Sequence, residues 1–561
     1  MRVLWPILLL ASVTVVSAQQ PPPRPADPKL LSIHPFAGQA GTSFTVTVRG
    51  TGIKTATSVQ SDLEASVEAV DQEAPPAPGS RRTPSDLVRL KITSAPDAKP
   101  GRHNLRLITP GGISNALPIH LTPHAVVSEP DGIHETPETA IPVPSLPTTF
   151  TGRITAKGES DFFVFEAHEG QTITFSAASG LPGIGSAGSN ANGFDPSLAL
   201  YELGGSWFDP ARIRRVAFND EPLWFFGRHQ EPHLVHRFQK TGKYYLRLEA
   251  FSGQGGPDYS YRLDFFPRET QQDRPPADPS GERGFSRLLS TDRLNQLAER
   301  GGKPRDRKSV ETYNPGPVQL PAIIEGAIAE PGQSQRAHFQ IDGPRDIAIE
   351  IQTPSADPPL FNPVVRLLDS RGEEVATNIL VGRGACTGAM SKSIQAKVIV
   401  PIRNPGAYTV EVRDLTADLG DPSFRYRLMI RQQIPHLGNI GIDEDHINLF
   451  PGDAKTTRVT FDREEDFRGA VAITVESLPP GVQALPSADY EPDKDAPLTA
   501  GKRERFNPRT ERAVIAFTAD PTAPPTTKPA MARVVVRPIV DGKPGAVAAS
   551  KQIPIMVVPQ P

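Results

Sequence analysis

The sequence predicts an all-β protein built from tandem β-sandwich modules, immunoglobulin-like and jelly-roll-like, with a short helical segment in one linker. Short runs of alternating apolar and polar residues, separated by glycine and proline, recur through the chain of 561 residues. The 61 prolines are about twice the ordinary share, and together with these alternating runs they favour many short strands joined by turns over disorder. In addition, one pattern of sequence blocks occurs twice.

The repeat consists of four matched blocks in the same order. The first block covers residues 152–175 in one copy and 326–351 in the other, and each opens on a glycine followed by apolar alternation. The remaining pairs are 194–205 with 361–372, 242–250 with 406–414, and 258–265 with 423–430; the four offsets are 174, 167, 164 and 165 residues. We expect each first block to form a β-hairpin. The chain therefore holds two copies of one module and a further module at each end.

These patterns divide the chain into seven segments. They are a signal peptide at 1–18, a proline-rich spacer at 19–28, a first module at 29–122, copy one at 125–267, a charged linker at 268–315, copy two at 316–432 and a last module at 436–558.

The linker holds the predicted helix, within residues 286–302. Leu288, Leu289, Leu294 and Leu297 recur at near-helical spacing, and Gly301 with Gly302 would end the helix. A helix lying on a neighbouring module is favoured over a free linker.

The N-terminus predicts secretion. Arg2 precedes an apolar run at 3–11, and small residues lead up to Ala18, which fits a signal peptide cleaved after that residue. A single membrane anchor is the alternative, but the apolar run is short for a span. We expect a secreted, periplasmic or surface-associated bacterial protein with no integral membrane segment after cleavage. Since Cys386 is the only cysteine, the chain cannot form an intrachain disulfide.

The charge balance argues against nucleic acid as a partner. The chain has 60 basic and 63 acidic residues, a net charge of −3. No overall field therefore attracts a polyanion.

The first module resembles the immunoglobulin-like IPT/TIG family. The residues that carry the likeness are Ser32, Pro35, Gly41, Gly50-Thr51-Gly52, Pro100-Gly101 and Pro110-Gly111-Gly112. Glycine and proline stand where a small sandwich must turn.

Both repeat copies resemble the bacterial pre-peptidase C-terminal domain, a β-sandwich often appended to secreted peptidases. In copy one the matching residues are Gly152, Gly158, Asp161 to Phe165, Gly170-Gln171, Asp195-Pro196, Asn219-Asp220, Gly242 to Tyr245, Tyr259 and Tyr261 to Leu263. Copy two keeps Gly326, Gly332, Phe339, Gly406, Tyr408 and Tyr426 to Leu428. The resemblance implies an accessory role beside secreted hydrolases, although no peptidase is attached here.

The last module resembles, more loosely, the immunoglobulin-like modules near the ends of secreted bacterial proteins. The residues concerned are Pro451-Gly452, Gly469 and Leu478 to Val482.

Copy one carries a candidate calcium site, the only cofactor that we predict. Asp161, Asp195, Asn219 and Asp220 are oxygen-bearing residues at or near turns, and calcium takes about 6 to 8 oxygen ligands. The alternative is that they stabilise turns. The aligned residues of copy two are Gln335, Asn362, Asn378 and Ile379. Since copy two keeps the framework without the acids, a metal is not needed to form this fold.

A candidate binding patch lies in the same copy. Trp207, Trp224, Phe225 and Phe226 stand in polar surroundings, where aromatic side chains could stack on sugars or hold a protein. Core packing is the alternative for at least two of them.

We predict no catalytic residues. His229, His233 and His236 with Glu231 lack the HExxH spacing of zinc hydrolases, and Cys386 has no nucleophile signature. The GxGxxG match at 183–188 is followed by a strand pattern and not by a helix. The members of a Ser-His-Asp triad meet only in space, so sequence alone leaves that arrangement open.

The sequence thus predicts a secreted, non-catalytic multidomain protein that binds or adheres to an extracellular protein or polysaccharide through sandwich loops. The alternatives are an accessory or processing-associated component of a secreted hydrolase system, an enzyme with a site between modules, and a structural spacer.

Overall fold

The computed structural model describes residues 27–73, 85–179, 194–204, 213–219, 232–251, 253–267, 288–289, 317–330, 332–353, 361–383, 390–415, 420–485 and 509–560. Over these ranges the regular secondary structure is β-strand, apart from a single 3-10 turn at Pro137–Thr139. The predicted all-β class with tandem sandwich modules is therefore confirmed.

In its described residues the first module contains nine strands. They are β1 (Lys29–His34), β2 (Ala37–Gln39), β3 (Ser43–Thr51), β4 (Ser58–Ser61), β5 (Glu64–Gln72), β6 (Asp86–Thr93), β7 (Gly101–Thr109), β8 (Gly112–Ile113) and β9 (Leu117–Thr122). The two sheets have the orders β1-β3-β6-β5 and β2-β9-β7-β4, and β8 pairs with β7. Alternate apolar residues such as Val46 and Leu90 meet Leu107 and Ile119 between the sheets.

Copy one follows with ten strands in the part that the structure describes. They are β10 (Val126–Ser128), β11 (Ile141–Pro142), β12 (Thr148–Arg153), β13 (Ser160–Ala167), β14 (Thr172–Ser179), β15 (Pro196–Leu203), β16 (Ile213–Asn219), β17 (His233–Arg237), β18 (Gly242–Ala250) and β19 (Ser260–Pro267). The sheet orders are β10-β12-β19-β14-β17 and β11-β13-β18-β15-β16. Phenylalanine rings of both sheets, among them Phe150, Phe163, Phe165 and Phe265, fill the core.

The linker and copy two contribute twelve described strands. They are β20 (Leu288–Leu289), β21 (Pro317–Val318), β22 (Ala322–Ala327), β23 (Ser334–Ile341), β24 (Arg345–Gln352), β25 (Pro363–Leu368), β26 (Glu374–Thr377), β27 (Ile379–Arg383), β28 (Met390–Ile394), β29 (Lys397–Ile402), β30 (Gly406–Asp414) and β31 (Arg425–Gln432). The two main sheets have the orders β21-β23-β30-β25-β26 and β22-β31-β24-β29, and a small third sheet has the order β20-β28-β27.

The described strands of the last module complete the chain. They are β32 (His436–Ile442), β33 (Ile447–Leu449), β34 (Ala454–Glu464), β35 (Val471–Glu476), β36 (Val482–Leu485), β37 (Arg509–Ala519), β38 (Ala530–Val540), β39 (Lys543–Pro544) and β40 (Ala549–Val557). The sheet orders are β32-β34-β37-β36 and β33-β40-β38-β35, and β39 pairs with β38.

The two repeat copies share one topology. The order β11-β13-β18-β15-β16 of copy one corresponds strand by strand to β21-β23-β30-β25-β26 of copy two, with a parallel pair at the same edge. A register shift occurs at the matching place, after Leu200 in one copy and after Leu367 in the other. The sequence repeat is thus a repeat of structure.

The predicted hairpins are wrong. β12 pairs with β10 and β19, whereas β13 pairs with β11 and β18, so the turn at Gly158 carries the chain from one sheet to the other. The turn at Gly332 does the same in copy two. The physical reason is that apolar alternation places one face of each strand on the core but does not determine which of the two sheets the strand joins.

The predicted linker helix is contradicted at Leu288 and Leu289. These two residues form β20, which pairs antiparallel with Lys392 and Ser393 of β28. The rest of residues 286–302 lies outside the described residues, and so does the signal peptide.

Three inter-module contacts fix the order of the modules in space. The first module contacts copy one through Arg49 and Asp258, and the last module contacts copy two through Lys397 and Glu465. The first and last modules also pack on each other. None of the helical segments in the described chain is long and apolar enough to cross a membrane.

Candidate functional site

One end of the copy-one sandwich gathers most of its inter-strand connections. Ser160 at the start of β13 pairs with Glu249 near the end of β18, and Leu198 near the start of β15 pairs with Asn219 at the end of β16. The connections 154–159, 180–195, 220–232 and 251–259 therefore all attach at this end, which we call the apical end.

Three carboxylates meet at the apical end. One ligand oxygen from each of Glu129, Glu159 and Asp161 lies within 4.8 Å of the others. Asp161 is only 2% exposed and Tyr261 is fully buried. The Tyr261 hydroxyl lies 2.8 Å from Asp161 Oδ2 and 3.2 Å from Glu129 Oε2, and its one proton can serve only one of them at a time.

Backbone groups hold the two glutamates in place. Glu129 follows β10, and its Oε2 accepts a hydrogen bond of 2.9 Å from the Arg153 amide. Glu159 precedes β13, and its Oε2 accepts bonds from the amides of Thr155 and Ala156 at 2.9 and 2.6 Å. Both acids are therefore fixed by the turn that crosses between the sheets.

The electrostatics of this acidic cluster disfavour three negative charges. Burial, and then the nearby charge of Glu129, raise the pKa of Asp161 to about 8. Burial also raises the pKa of Glu129, and burial together with both acids raises the pKa of Tyr261 well above its ordinary value. A proton or a cation held by the cluster would offset this repulsion.

Copy two shows the same arrangement without the charge. Tyr426 donates its hydroxyl proton to Gln335 Oε1, as Tyr261 does to Asp161. The other end of the amide, Nε2, donates to the Ala327 carbonyl at 2.8 Å. The neutral amide satisfies the buried tyrosine by itself, so the scaffold needs no acid here.

The glycine that opens each repeat makes room for this tyrosine. Gly152 is the cross-strand partner of Tyr261, and Gly326 is the partner of Tyr426. A Cβ at Gly152 would lie 2.4 Å from the Tyr261 hydroxyl, and one at Gly326 would lie 2.6 Å from the Tyr426 hydroxyl.

Two residues of the predicted calcium site, Asp161 and Asn219, lie far apart in the sheet. Asp161, Leu248, Leu198 and Asn219 form one row across the sheet, so Asp161 and Asn219 are three strands apart, about 14 Å at the usual spacing. One ion cannot span that distance. The acids that lie beside Asp161 are Glu129 and Glu159.

The other predicted ligands occupy framework positions. Asp195 accepts a backbone hydrogen bond of 2.7 Å from the Phe251 amide, as Asn362 does from Leu415 in copy two. Asn378, the counterpart of Asn219, bonds backbone groups on either side of it and is fully buried. Asp220 lies outside the described residues.

The four aromatic residues of the predicted binding patch also lie outside the described residues. The segment with Trp224, Phe225 and Phe226 joins strands at the apical end, whereas the segment with Trp207 joins β15 to β16 at the opposite end. The described apical surface carries other apolar residues that the sequence analysis did not select: Ile133 is 73% exposed and Phe251 57% exposed.

We predicted no catalytic role for the three histidines or for Cys386, and the structure describes only some of these residues. His236 packs edge-on against Phe238 with ring centroids 4.8 Å apart. His229, Glu231, Cys386 and the segment 183–188 lie outside the described residues.

A second acidic group joins copy two to the last module. His436, Glu464 and Glu465 lie close enough to share an ion. Lys397 Nζ lies 2.9 Å from Glu465 Oε1, and Arg431 approaches the same carboxylate at 2.6 Å. These cations already neutralise the acids, so the group is an ion-pair network between modules.

Sequence signals for Glu129 and Glu159 existed but were weak. Both stand beside glycine or proline in connecting segments, where acids are common on solvated turns. The pairing of β10 with β12 places Glu129, and the turn from β12 into β13 places Glu159, beside Asp161.

No protein-family model and no curated protein matches this chain. Among solved structures, it is similar to the pre-peptidase C-terminal domain of a collagenase from Bacillus anthracis, at 14% identity and a TM-score of 0.15, over 21% of this chain and 95% of that one. It is also similar to domains 1–6 of surface layer protein SbsC, at 9% identity and a TM-score of 0.17, over 96% of this chain and 55% of that one. A third match is the alpha-2-macroglobulin of E. coli, at 9% identity and a TM-score of 0.15, over 94% of this chain and 46% of that one.

The chain thus spans about half the length of the last two proteins. At such TM-scores these likenesses support no inference about activity or partners. One of the matched domains belongs to the family that copy one resembles in sequence.

Proposed function

We propose that this chain is an extracytoplasmic, non-catalytic binding protein that contacts a protein or polysaccharide through the apical end of copy one. The observation that carries the proposal is a difference between two copies whose five-stranded sheets β11-β13-β18-β15-β16 and β21-β23-β30-β25-β26 correspond strand by strand. Copy one has a charged, buried acidic cluster where copy two has a neutral amide. Since the scaffold forms without the charge, the acids serve something other than folding.

The exposed side chains beside the cluster suit a contact surface. Ile133 follows Glu129 by four residues, and Phe251 stands on the connection that leaves β18 at the same end. Large apolar side chains rimmed by polar groups are typical of interaction sites.

Calcium at the acidic cluster is part of this proposal. Glu129, Glu159 and Asp161 offer hard carboxylate oxygens, which fit that ion, and a bound cation would neutralise the charges that raise the pKa of Asp161. The ion would tie the segment before β11 to the turn before β13 and so order the apical end.

The binding proposal is tested with the full mature chain immobilised and presented with envelope proteins and polysaccharides. Phe251→Ala is expected to lower retention of the captured partner at least tenfold. Ile323→Ala is the matched control, because Ile323 is 66% exposed on β22 of copy two. Equal retention by both variants would overturn the apical assignment. Turnover of casein, glycosides or esters that one substitution abolishes would instead favour an enzyme.

The calcium proposal is tested by calorimetric titration and by melting with and without chelator. Calcium at 100 times its Kd should stabilise copy one by about 2.7 kcal/mol, and Asp161→Asn should remove both the heat of binding and the stabilisation. Asp195→Asn is the control, because Asp195 is not one of the three acids whose oxygens lie together. Identical melting of the unmodified protein in calcium and in chelator would refute the site.

A further inference from the structure

The first and last modules, although farthest apart in sequence, pack directly on each other. Ile108 and Ile113 of the first module and Met556 and Val558 of the last form one buried apolar cluster, with Phe450 packed against it. We call this contact the first–last interface.

At the first–last interface, the side-chain amide of Asn448 pairs with the backbone of Ile113 as the backbone of a neighbouring strand would. Its Oδ1 accepts a hydrogen bond of 2.9 Å from the Ile113 amide, and its Nδ2 donates to the Ile113 carbonyl, also at 2.9 Å. Asn448 is 1% exposed. Gly112 lies against it, with φ of +119° and room for no side chain, because a Cβ there would lie 2.4 Å from the Asn448 amide.

A polar contact extends the interface at its rim. Arg106 bonds the carboxylate of Asp445 at 3.1 Å and its backbone carbonyl at 2.9 Å. Asp445 also accepts a bond of 2.8 Å from the Ala116 amide. The connection that holds Asp445 and the adjacent strand β33 of the last module thus contact the edge of the first module.

Polar contacts join the first module to copy one, and other polar contacts join copy two to the last module. Asp258 of copy one accepts Arg49 at 2.6 Å, and the Phe36 amide donates to Thr151 Oγ1 at 3.0 Å. Glu465 of the last module has no exposed side-chain surface and accepts Arg431 of copy two at 2.6 Å. The first module and copy one therefore form one half, and copy two and the last module form the other.

We propose that the first–last interface, and not the peptide connection between the copies, holds the two halves together, so that a chain cut between the copies remains one assembly. The partner of the first module's β8 edge is then the last module of the same chain. The two repeat copies take the outer positions, in the spatial order copy one, first module, last module, copy two.

The test uses the full chain with a specific protease site inserted after Ser280. After complete cleavage, the two fragments should co-elute on size exclusion at micromolar concentration with the mass of the uncut chain. Asn448→Ala removes both bonds to Ile113 and leaves its amide and carbonyl unpaired, so the cut variant should associate on the order of 100-fold more weakly. Separation of the unmodified fragments would overturn the proposal.

Two controls keep the result interpretable. Asn439→Ala replaces an exposed asparagine of the same module and should leave the fragments associated. The uncut Asn448→Ala chain should keep its far-ultraviolet circular dichroism, which separates loss of docking from loss of folding. An uncut chain that elutes as a dimer dependent on Asn448 would place the last module on a second copy and would also overturn the intrachain assignment.

Discussion

Asp161 and Gln335 occupy the same place in the two repeat copies and differ chiefly in charge. Each accepts the proton of a buried tyrosine that faces a glycine. In copy one, two further acids surround this position, so the protonation of Asp161 is linked to stability in a way that Gln335 cannot reproduce.

We expect the calcium-free protein to lose stability in copy one as the pH rises. The pKa of Asp161 is raised to about 8, so the folded state holds the proton more tightly than the unfolded chain does. Its contribution is complete below about pH 4 and is lost as the pH rises through about 8. The protection factors of the β13 amides in chelator, which correct hydrogen exchange for its intrinsic pH dependence, measure this at pH 5 and pH 8, and Asp161→Asn should flatten the dependence. A lower protection factor at pH 5 than at pH 8 would contradict it.

The last module contains a buried ion pair whose partners should be sensitive to single substitution. Arg463 and Glu511 have side chains only 2% and 3% exposed, with Nε and Oε1 3.2 Å apart. The guanidinium also donates to the Gly469 carbonyl at 2.6 Å and lies over the Phe467 ring. A charge left alone in this setting is costly.

Glu511→Gln should therefore destabilise the last module by about 3 to 5 kcal/mol in urea unfolding. The double variant Arg463→Met with Glu511→Leu should lose much less, because no charge remains buried. The exposed pair Arg468 and Asp466, 58% and 57% exposed, provides the contrast: Asp466→Asn should cost under about 1 kcal/mol. If Glu511→Gln and Asp466→Asn lowered the free energy of unfolding equally, burial would not be the cause of the larger loss.

At the scale of strands, the first residue of each repeat block has a steric role. β12 passes beside β19, and β22 passes beside β31, with glycine directly opposite tyrosine in both pairs. The tyrosine ring covers the glycine and reaches the opposite sheet.

Gly326→Ala is expected to destabilise copy two by about 1 to 3 kcal/mol, because the added methyl group would overlap Tyr426 and Gln335. Gly343→Ala is the matched control in the same copy, since a Cβ there meets nothing within 4 Å. Chemical unfolding of copy two measures both. A neutral Gly326→Ala would show that the tyrosine can move aside at little cost.

The sequence predicted the strands well and their partners poorly. Apolar alternation at Phe163 and Phe165 correctly places both on a buried face, because that pattern is local. The hairpin prediction failed because alternation does not say which sheet a strand joins. Glu129 was missed because only a parallel pairing between β10 and β12 brings it to Asp161.

At the scale of the whole molecule, histidines mark the contact between the first module and copy one. Burial, and then the charge of Arg153, lower the pKa of His34 to about 4. Burial, and then Arg262, Arg102 and His103, lower the pKa of His120 well below its ordinary value. Arg262 donates to His120 Nδ1 and pairs with Asp264 at 2.8 Å.

Acidification should therefore weaken this contact. A histidine with a lowered folded pKa contributes stability that is complete above about pH 6.5 and is lost as the pH falls toward 4. In saturating calcium, which under the calcium proposal removes the opposing effect of Asp161, the protection factors of amides in β9 and β12 should fall between pH 7 and pH 4. His34→Gln with His120→Gln should reduce the slope, and His338→Gln in copy two should not. An unchanged slope in the double variant would exclude these histidines.

The first–last interface also determines how the molecule carries mechanical load. Asp27 pairs with Lys455 at 2.9 Å, and Gln560 donates to the Pro451 carbonyl at 3.2 Å, so both residues lie on the last module. A force applied between residues 27 and 560 acts first on the contact between the first and last modules. The two repeat copies lie outside that line of tension, and they come under strain only after the contact has separated.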